Sequence, residues 1–422
     1  MPGHKGRQFL GIEHLDITEI DGADSLYEAN GIIAESEKVA SALFGCDTYF
    51  STEGSSLCIR AMLYLATLYA KARGQEPYFI ATRNVHKTFL SALALLDVDV
   101  DWLDAEAITS YLSCEISADY LCAYLENAHK KPTALYITSP DYLGNIADIQ
   151  AISEVCHRFG VLLIVDNAHG AYLKFLNPSQ HPIDLGADIC CDSAHKTLPV
   201  LTGGAYLHLS SQVASELSPY VKDAMLLFGS TSPSYLILQS LDRVNLYLED
   251  YSNRLSTFLK KVDELKRDMV EFGYKLYGNE PMKITVEAKR YGYLGTEFAK
   301  TLENNGLVCE FADPDFVTLM LTPENDNDID DIKRILLSVP KKDSVEEPMP
   351  TFNKAKRYLG IREACLSPYE TVDAKNALGR VVSISSVGCP PAVPIVLSGE
   401  IIDENAIKCF EYYGINKINV VK

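Results

Sequence analysis

The chain has 422 residues, 47% of them hydrophobic, enough to bury a large core in more than one domain. Its 57 acidic and 38 basic residues leave a net charge of −19, which argues against nucleic acid and anionic membrane surfaces as partners and fits a soluble enzyme acting on cationic substrates. No apolar run reaches the ~20 residues of a membrane span, no signal-peptide pattern opens the chain, and the eleven cysteines include no CxxC pair, as in a reduced, cytoplasmic protein.

In chain order, residues 1–40 read as an N-terminal arm, 41–262 as a large domain, 263–340 as a small α/β domain and 341–422 as a C-terminal domain. In the large domain "PYFIAT" (77–82), "TALYIT" (133–138), "VLLIVD" (161–166), "ADICCDS" (187–193) and "GGAYLHL" (203–209) read as strands. Amphipathic segments such as "TFLSALALL" and "QAISEVCHRFG" separate them. Near-continuous apolar strands alternating with helices predict a mostly parallel sheet covered on both faces. A long helix is predicted from "STSPSYLILQSLDRVNLYLEDY", with Ser232 as cap and Pro233 at its first position. It continues, with a break, toward "LKKVDELKRDMVEF". A second α/β unit follows: strand "MKITVEA", helix "GTEFAKTLENNG", strand pair "LVCEFADPDFVTLMLT" and helix "DIDDIKRILLSV". "PKKDSVEEPMP" (340–350) reads as a linker.

Open α/β sheets bind ligands beyond the carboxyl ends of their strands, so the residues after each apolar run carry the functional reading. Asp166 ends one run and needs a strong partner if buried; a strand-end Asp can also simply cap the next turn. Ser193 ends the next run, and Lys196 follows it. If these two strands are neighbours, Asp166 and Lys196 face one crevice. A Schiff-base lysine with an Asp for a pyridinium nitrogen is what pyridoxal phosphate requires, although a lone lysine in a loop can equally be a solvated one. In "STEGSS" (51–56) Gly54, Ser55 and Ser56 open a helix whose N–H groups and dipole favour a phosphate, where serine can also be only a cap. Ser193 and His195 add donors from the lysine loop, and the loop 229–235 offers another hydroxyl-rich helix start. His86 lies just past an apolar run, where an imidazole can stack on a flat ring or simply be a partly exposed histidine at a helix start. A metal site of Cys190, Cys191, His195 and His169 is set aside, because adjacent residues of a strand point to opposite faces.

Taken together, "MPGHKGR", "DITEIDGADSLYEANGIIAESE", "RNVHKTF", "VDNAHGAY", "DSAHKTLPVLTGGA", "STSPSY" and the C-terminal "CPPAVPIVLSGE" resemble the Orn/Lys/Arg decarboxylase family, in its short branch without a receiver-like domain. The resemblance implies a fold-type-I, pyridoxal-phosphate-dependent, aminotransferase-like fold, and a lyase of polyamine metabolism that converts lysine, arginine or ornithine to the corresponding amine and CO2. It implies Lys196 as the internal aldimine from which a quinonoid intermediate arises. Asp166 would sit on the ring nitrogen and His86 on the ring face, with Ala168 and His169 against the ring or its hydroxyl. Ser55, Ser56, Ser193 and His195 would hold the phosphate, joined by Thr231 and Ser232 of the neighbouring subunit of a homodimer. This chain departs from the family pattern at Glu53 (commonly Asn), Ala392 (usually Gly), Ser398 (usually Pro) and "LTGG" (201–204, for a more common Gln after the Thr), and Met1 begins the first motif directly. Another cofactor-dependent reaction, an aminotransferase or a lyase, would share Lys196 and Asp166, and a silent cofactor-binding regulator would keep the same set.

Overall fold

The computed structural model describes residues 2–105, 110–384 and 391–422. Met1 lies outside the described residues, as do Cys389 and Pro390 of the C-terminal signature.

Seven strands build the main sheet: β1 (Asp47–Ser51), β2 (Tyr78–Thr82), β3 (Asp99–Leu103), β4 (Ala134–Thr138), β5 (Leu162–Asp166), β6 (Ile189–Asp192) and β7 (Ala205–Leu209). Their order is β1-β7-β6-β5-β4-β2-β3. β7 runs antiparallel to both of its neighbours, and the other pairs are parallel. Each of β2, β5, β6 and β7 is buried along its whole length, because helices cover both faces. One face packs on the helices Gly54–Ala72 and Lys87–Leu96, with Leu57, Met62, Phe89 and Leu93 in the layer between. The other packs on Ala118–Asn127 and Ile149–Phe159 through Leu121, Ile152 and Cys156.

The five strands expected from the apolar runs are all present. β3 was not expected: it is an edge strand whose Asp99 and Asp101 face solvent, so no apolar run marks it. Charges on an edge also discourage pairing with another chain. The predicted helix start needs correction. The helix runs over Tyr235–Leu248, capped by Ser234, whose side chain accepts from the Ile237 N–H at 3.4 Å. Pro233 biases Ser232 toward extended backbone, which pushes the start two residues beyond the predicted cap. The expected break falls at Glu249–Asp250, and Tyr251–Phe272 continues the path.

A second, antiparallel sheet has β8 (Leu276–Tyr277), β9 (Lys283–Glu287), β10 (Phe311–Ala312) and β11 (Phe316–Met320) in the order β10-β11-β9-β8. It shares a core with Tyr251–Phe272 and Ile329–Ser338 through Val262, Leu265, Ile332 and Leu336. This unit meets the main sheet through a buried ion pair. Lys283 Nζ lies 3.1 Å from Glu280 Oε2 and donates to the Asp141 carbonyl at 2.9 Å, while Tyr172 Oη donates to Glu280 Oε1 at 3.1 Å. Gly278 allows the close approach: a Cβ there would meet the Leu143 and Gly144 carbonyl oxygens at 2.7 Å.

In the C-terminal region β12 (Tyr369–Asp373) pairs antiparallel with β13 (Lys417–Val421), and the helix Glu404–Tyr412 packs beside them. It grips the β2 end of the main sheet. Arg83 makes a bidentate pair with Glu400 at 2.7 and 2.9 Å, and the Lys87 N–H donates to the Ala392 carbonyl at 2.8 Å. Ala392 stands at φ +56°, the left-handed region an alanine adopts only with strain. Ala392→Gly should therefore raise stability by about 0.5–1 kcal/mol, the relieved strain less the entropy a glycine adds to the unfolded chain. A urea midpoint no higher than that of the parent chain would contradict this.

Candidate active site

Asp166 ends β5, and β6 lies directly beside it, with Asp166 in register with Cys191. Four residues beyond β6, Lys196 sits in a single helical turn, Ala194–Thr197. The two side chains expected to share a crevice therefore rise from adjacent strands. Tyr136 Oη donates to Asp166 Oδ2 at 3.0 Å and the Ala168 N–H to Oδ1 at 3.2 Å. Burial pushes the Asp166 carboxyl up, against the Lys196 ammonium and these hydrogen bonds. A cationic N–H partner would relieve that penalty.

Lys196 Nζ lies 2.8 Å from His169 Nε2, and the Tyr142 ring stands edge-on to the His169 ring at 4.9 Å. Burial, reinforced by the charges of Lys196 and Lys283, holds the His169 imidazole well below its ordinary pKa, and a neutral ring whose Nε2 accepts from the Lys196 ammonium carries its proton on Nδ1. That Nδ1 is buried and has no hydrogen-bond partner among the described residues. Buried donors of this kind are rare and call for an acceptor.

His86 caps the helix Lys87–Leu96, its Nδ1 accepting from the Thr88 N–H at 3.2 Å. Burial first, then Lys196, Lys87 and Arg60, bring its pKa down to about 4, leaving a neutral flat ring at neutral pH. Between its ordinary 6.5 and about 4, the unfolded chain binds a proton at His86 that the folded chain refuses, so stability falls as pH falls through that window. Without added cofactor, His86→Phe should lose less stability between pH 7 and pH 5, by about 1–2 kcal/mol. Equal losses in urea titrations would contradict this.

The hydroxyl cradle is assembled from three elements. Ser193 Oγ donates to Ser55 Oγ at 2.8 Å, and Thr88 Oγ1 lies 3.3 Å from Ser56 Oγ. Gly54 opens the helix Gly54–Ala72 at φ +69°, and nothing stands within 4 Å of where its Cβ would be. The first N–H groups of that helix have no intrahelical acceptor. The donors, the open space and the dipole suit a phosphate. His195 is fixed beside them, its Nδ1–H donating to the Gly204 carbonyl at 2.9 Å. The set fits pyridoxal phosphate: a hydroxyl cradle, an orphaned buried N–H, and a buried carboxylate beside a lysine.

Thr231 and Ser232 do not join this cluster. Both are exposed, and among the described residues no hydrogen bond links their side chains to Ser55, Ser56 or Ser193. Their loop is instead held by Glu53, whose Oε1 accepts from the Ser230 N–H at 2.6 Å, a task the sequence reading did not give this departure from the family pattern. Tyr136, Tyr142 and the support behind the site were also missed. Asn167 Nδ2 donates to Asp192 Oδ1 at 2.6 Å, while His181 and His208 each place Nε2 3.1 Å from Oδ2. Burial alone would raise the Asp192 carboxyl, but the two imidazoles hold it well below the usual range. Cys190 and Cys191 face opposite sides of the sheet, in different core layers.

Residues 3–272 match the family profile described as Orn/Lys/Arg decarboxylase, major domain. The chain is 28% identical to the uncharacterized protein YaaO of Bacillus subtilis, over 93% of this chain and 84% of that one. It is 27% identical to the arginine decarboxylase of the same organism, over 96% and 88%. Among solved structures, the lysine decarboxylase LdcF of Francisella novicida superposes with a TM-score of 0.79 at 16% identity, over 100% of this chain and 78% of that one. The architecture is that of the fold-type-I enzymes.

Proposed function

Because the chain belongs to the Orn/Lys/Arg decarboxylase family, we propose that it removes the α-carboxylate of lysine, arginine or ornithine as CO2 and releases the amine, with pyridoxal phosphate held at the ends of β5 and β6. The observation that carries this reading is the placement of Asp166 at the end of β5 and of Lys196 four residues beyond the adjacent parallel β6, with His169 Nε2 2.8 Å from the lysine Nζ. When bound, the cofactor supplies an electron sink for the pair released as the Cα–carboxylate bond breaks.

The chain's own residues do the rest. Lys196 provides the amine for covalent attachment, and its Nζ, paired with His169 Nε2, is placed to hold a proton and return it. Asp166 would keep a proton on the ring nitrogen of the bound cofactor through its charge. His86 would offer a neutral face for stacking, Ala168 would lie against the ring, and the His169 Nδ1–H would gain its missing acceptor. Gly54, Ser55, Ser56, Ser193 and His195 hold the phosphate.

Thr231 and Ser232 serve the neighbouring subunit of a homodimer. Their exposure supports this, as does an N-terminal arm that leaves Phe9 and Leu10 80% and 84% exposed. An equimolar mixture of Lys196→Ala and Thr231→Trp chains, unfolded and refolded together, should regain roughly a quarter of the parent activity, since half the dimers carry one intact site of two. No recovery would contradict shared sites. We read residues 1–40, 41–262, 263–340 and 341–422 as arm, cofactor domain, small domain and C-terminal domain. The protein works in the cytoplasm, in keeping with ten free cysteines among the described residues; no helix of the described residues is long and apolar enough to cross a membrane.

Borohydride reduction of the cofactor-loaded protein, followed by peptide mass spectrometry, tests the assignment. A pyridoxyl group on Lys196 is expected, and a group on another lysine would overturn it. A keto acid in place of CO2 and amine would move the reaction to transamination.

A further inference from the structure

A cleft of about 380 Å³ opens at the carboxyl ends of β2 and β4. Asn84, just past β2, and Thr138, the last residue of β4, line it, with Glu115 and Asp148 on its walls. Thr138 is in register with Asp166 on the neighbouring strand. The cleft therefore begins one strand from Asp166 and two from the strand that delivers Lys196, about 10 Å at normal strand spacing.

Several of its polar groups are acceptors in need of donors, beside the amides of Asn145 and Asn279. Asn84 is 4% exposed, and its Nδ2 donates to the Leu112 carbonyl at 3.5 Å while Oδ1 has no partner among the described residues. Thr138 Oγ1 is likewise buried and unpartnered among them. Glu115 is exposed and makes no ion pair or hydrogen bond among the described residues. Asp148 spends Oδ1 on capping the helix Ile149–Phe159, accepting from the Ala151 N–H at 3.1 Å. Asp141 also lines the cleft, but its carboxylate is consumed by the Leu143 N–H, the Asn145 N–H and Asn145 Nδ2 at 2.7–2.9 Å. No Lys, Arg or His is among the described lining residues.

We propose that this cleft receives the distal cation of the substrate side chain, an ammonium or guanidinium, with Asn84 Oδ1 and Thr138 Oγ1 accepting from it and Glu115 and Asp148 supplying the charge. Such groups carry three or five donors and no acceptor, the complement of this wall. The inference rests on the proposed decarboxylase reading and adds to it the residues that select a basic side chain.

The test uses the cofactor-loaded protein and the double variant Glu115→Gln/Asp148→Asn, in which asparagine keeps the helix cap, together with Asn84→Leu. Cadaverine, putrescine and agmatine serve as calorimetric probes, and the amino acid that releases CO2 serves as substrate. Both variants should bind the preferred amine at least about tenfold more weakly and show a similar rise in KM, with kcat within about threefold, as expected for lost charge-assisted hydrogen bonds. Unchanged amine affinity and KM in both variants, beside normal CO2 release, would overturn the cleft and spare the decarboxylase reading. A parent chain that binds an amine through these residues but releases no CO2 would do the reverse. A parent chain that binds none of the three amines would overturn the cleft.

Discussion

Replacing Lys196 by alanine should abolish the visible absorbance of the cofactor-loaded protein and lower CO2 release by on the order of 10⁴-fold or more, the scale of losing a covalent catalytic group. The loss would be chemical rather than structural. Lys196 is only partly buried, and its Nζ lies 2.8 Å from His169 Nε2. His169 is held neutral by burial as well as by the lysine, and the buried Asp166 carboxyl, which loses the ammonium's support, keeps the Tyr136 hydroxyl and the Ala168 N–H as donors. The single turn Ala194–Thr197 keeps its seat through the His195 N–H, which donates to the Gly204 carbonyl at 3.1 Å. The urea midpoint should therefore move by no more than the equivalent of about 2 kcal/mol. Full activity in this variant would end the assignment of Lys196, and a collapse in stability would leave the activity loss without its chemical meaning.

The largest stability effect is expected far from the lysine. Glu280→Ala should destabilise the chain by about 3–5 kcal/mol, the cost of stranding a buried charge. The Glu280 and Lys283 side chains are 0% and 1% exposed, so no water replaces the missing carboxylate. Tyr172 Oη loses its acceptor in the same step. The pair also anchors the Asp141 carbonyl, one residue before Tyr142, whose ring stands against His169 and 6.0 Å from Lys196 Nζ. Glu280→Gln keeps an acceptor for Tyr172 and should cost less than the alanine. Urea unfolding of the three proteins at neutral pH measures the series. An alanine variant within about 1 kcal/mol of the parent chain would show that the pair contributes nothing net, as some buried pairs do when both partners relax.

The legible part of the fold follows from burial. Strands covered on both faces must be apolar along their whole length, so β2, β4, β5, β6 and β7 stand out as runs in the sequence. β3 escapes because an edge strand carries charge at every second position. The helix start near Ser232 was misplaced because two serines flank Pro233, and only backbone geometry distinguishes the capping one.

The candidate site was legible wherever its residues follow a strand end. Asp166, Ser193, Lys196 and His86 all come directly after apolar runs, and the parallel order β5-β6 then brings the first three together. Tyr136 and the His181 and His208 imidazoles were not legible. They act across strands, and no local pattern says that residue 136 touches 166 or that 181 and 208 share Asp192. Glu53 looked like a departure within the phosphate loop, yet it ties down the loop of Thr231 and Ser232. Thr231 and Ser232 themselves are exposed and lie outside the cluster around Lys196.

The most direct test of the account is carboxyl-labelled lysine, arginine and ornithine, each supplied separately to the cofactor-loaded protein. Label should leave as CO2 from at least one of them, with amine formed in equal amount. Retention of label in all three, or its recovery in a keto acid, would contradict a decarboxylase at this site.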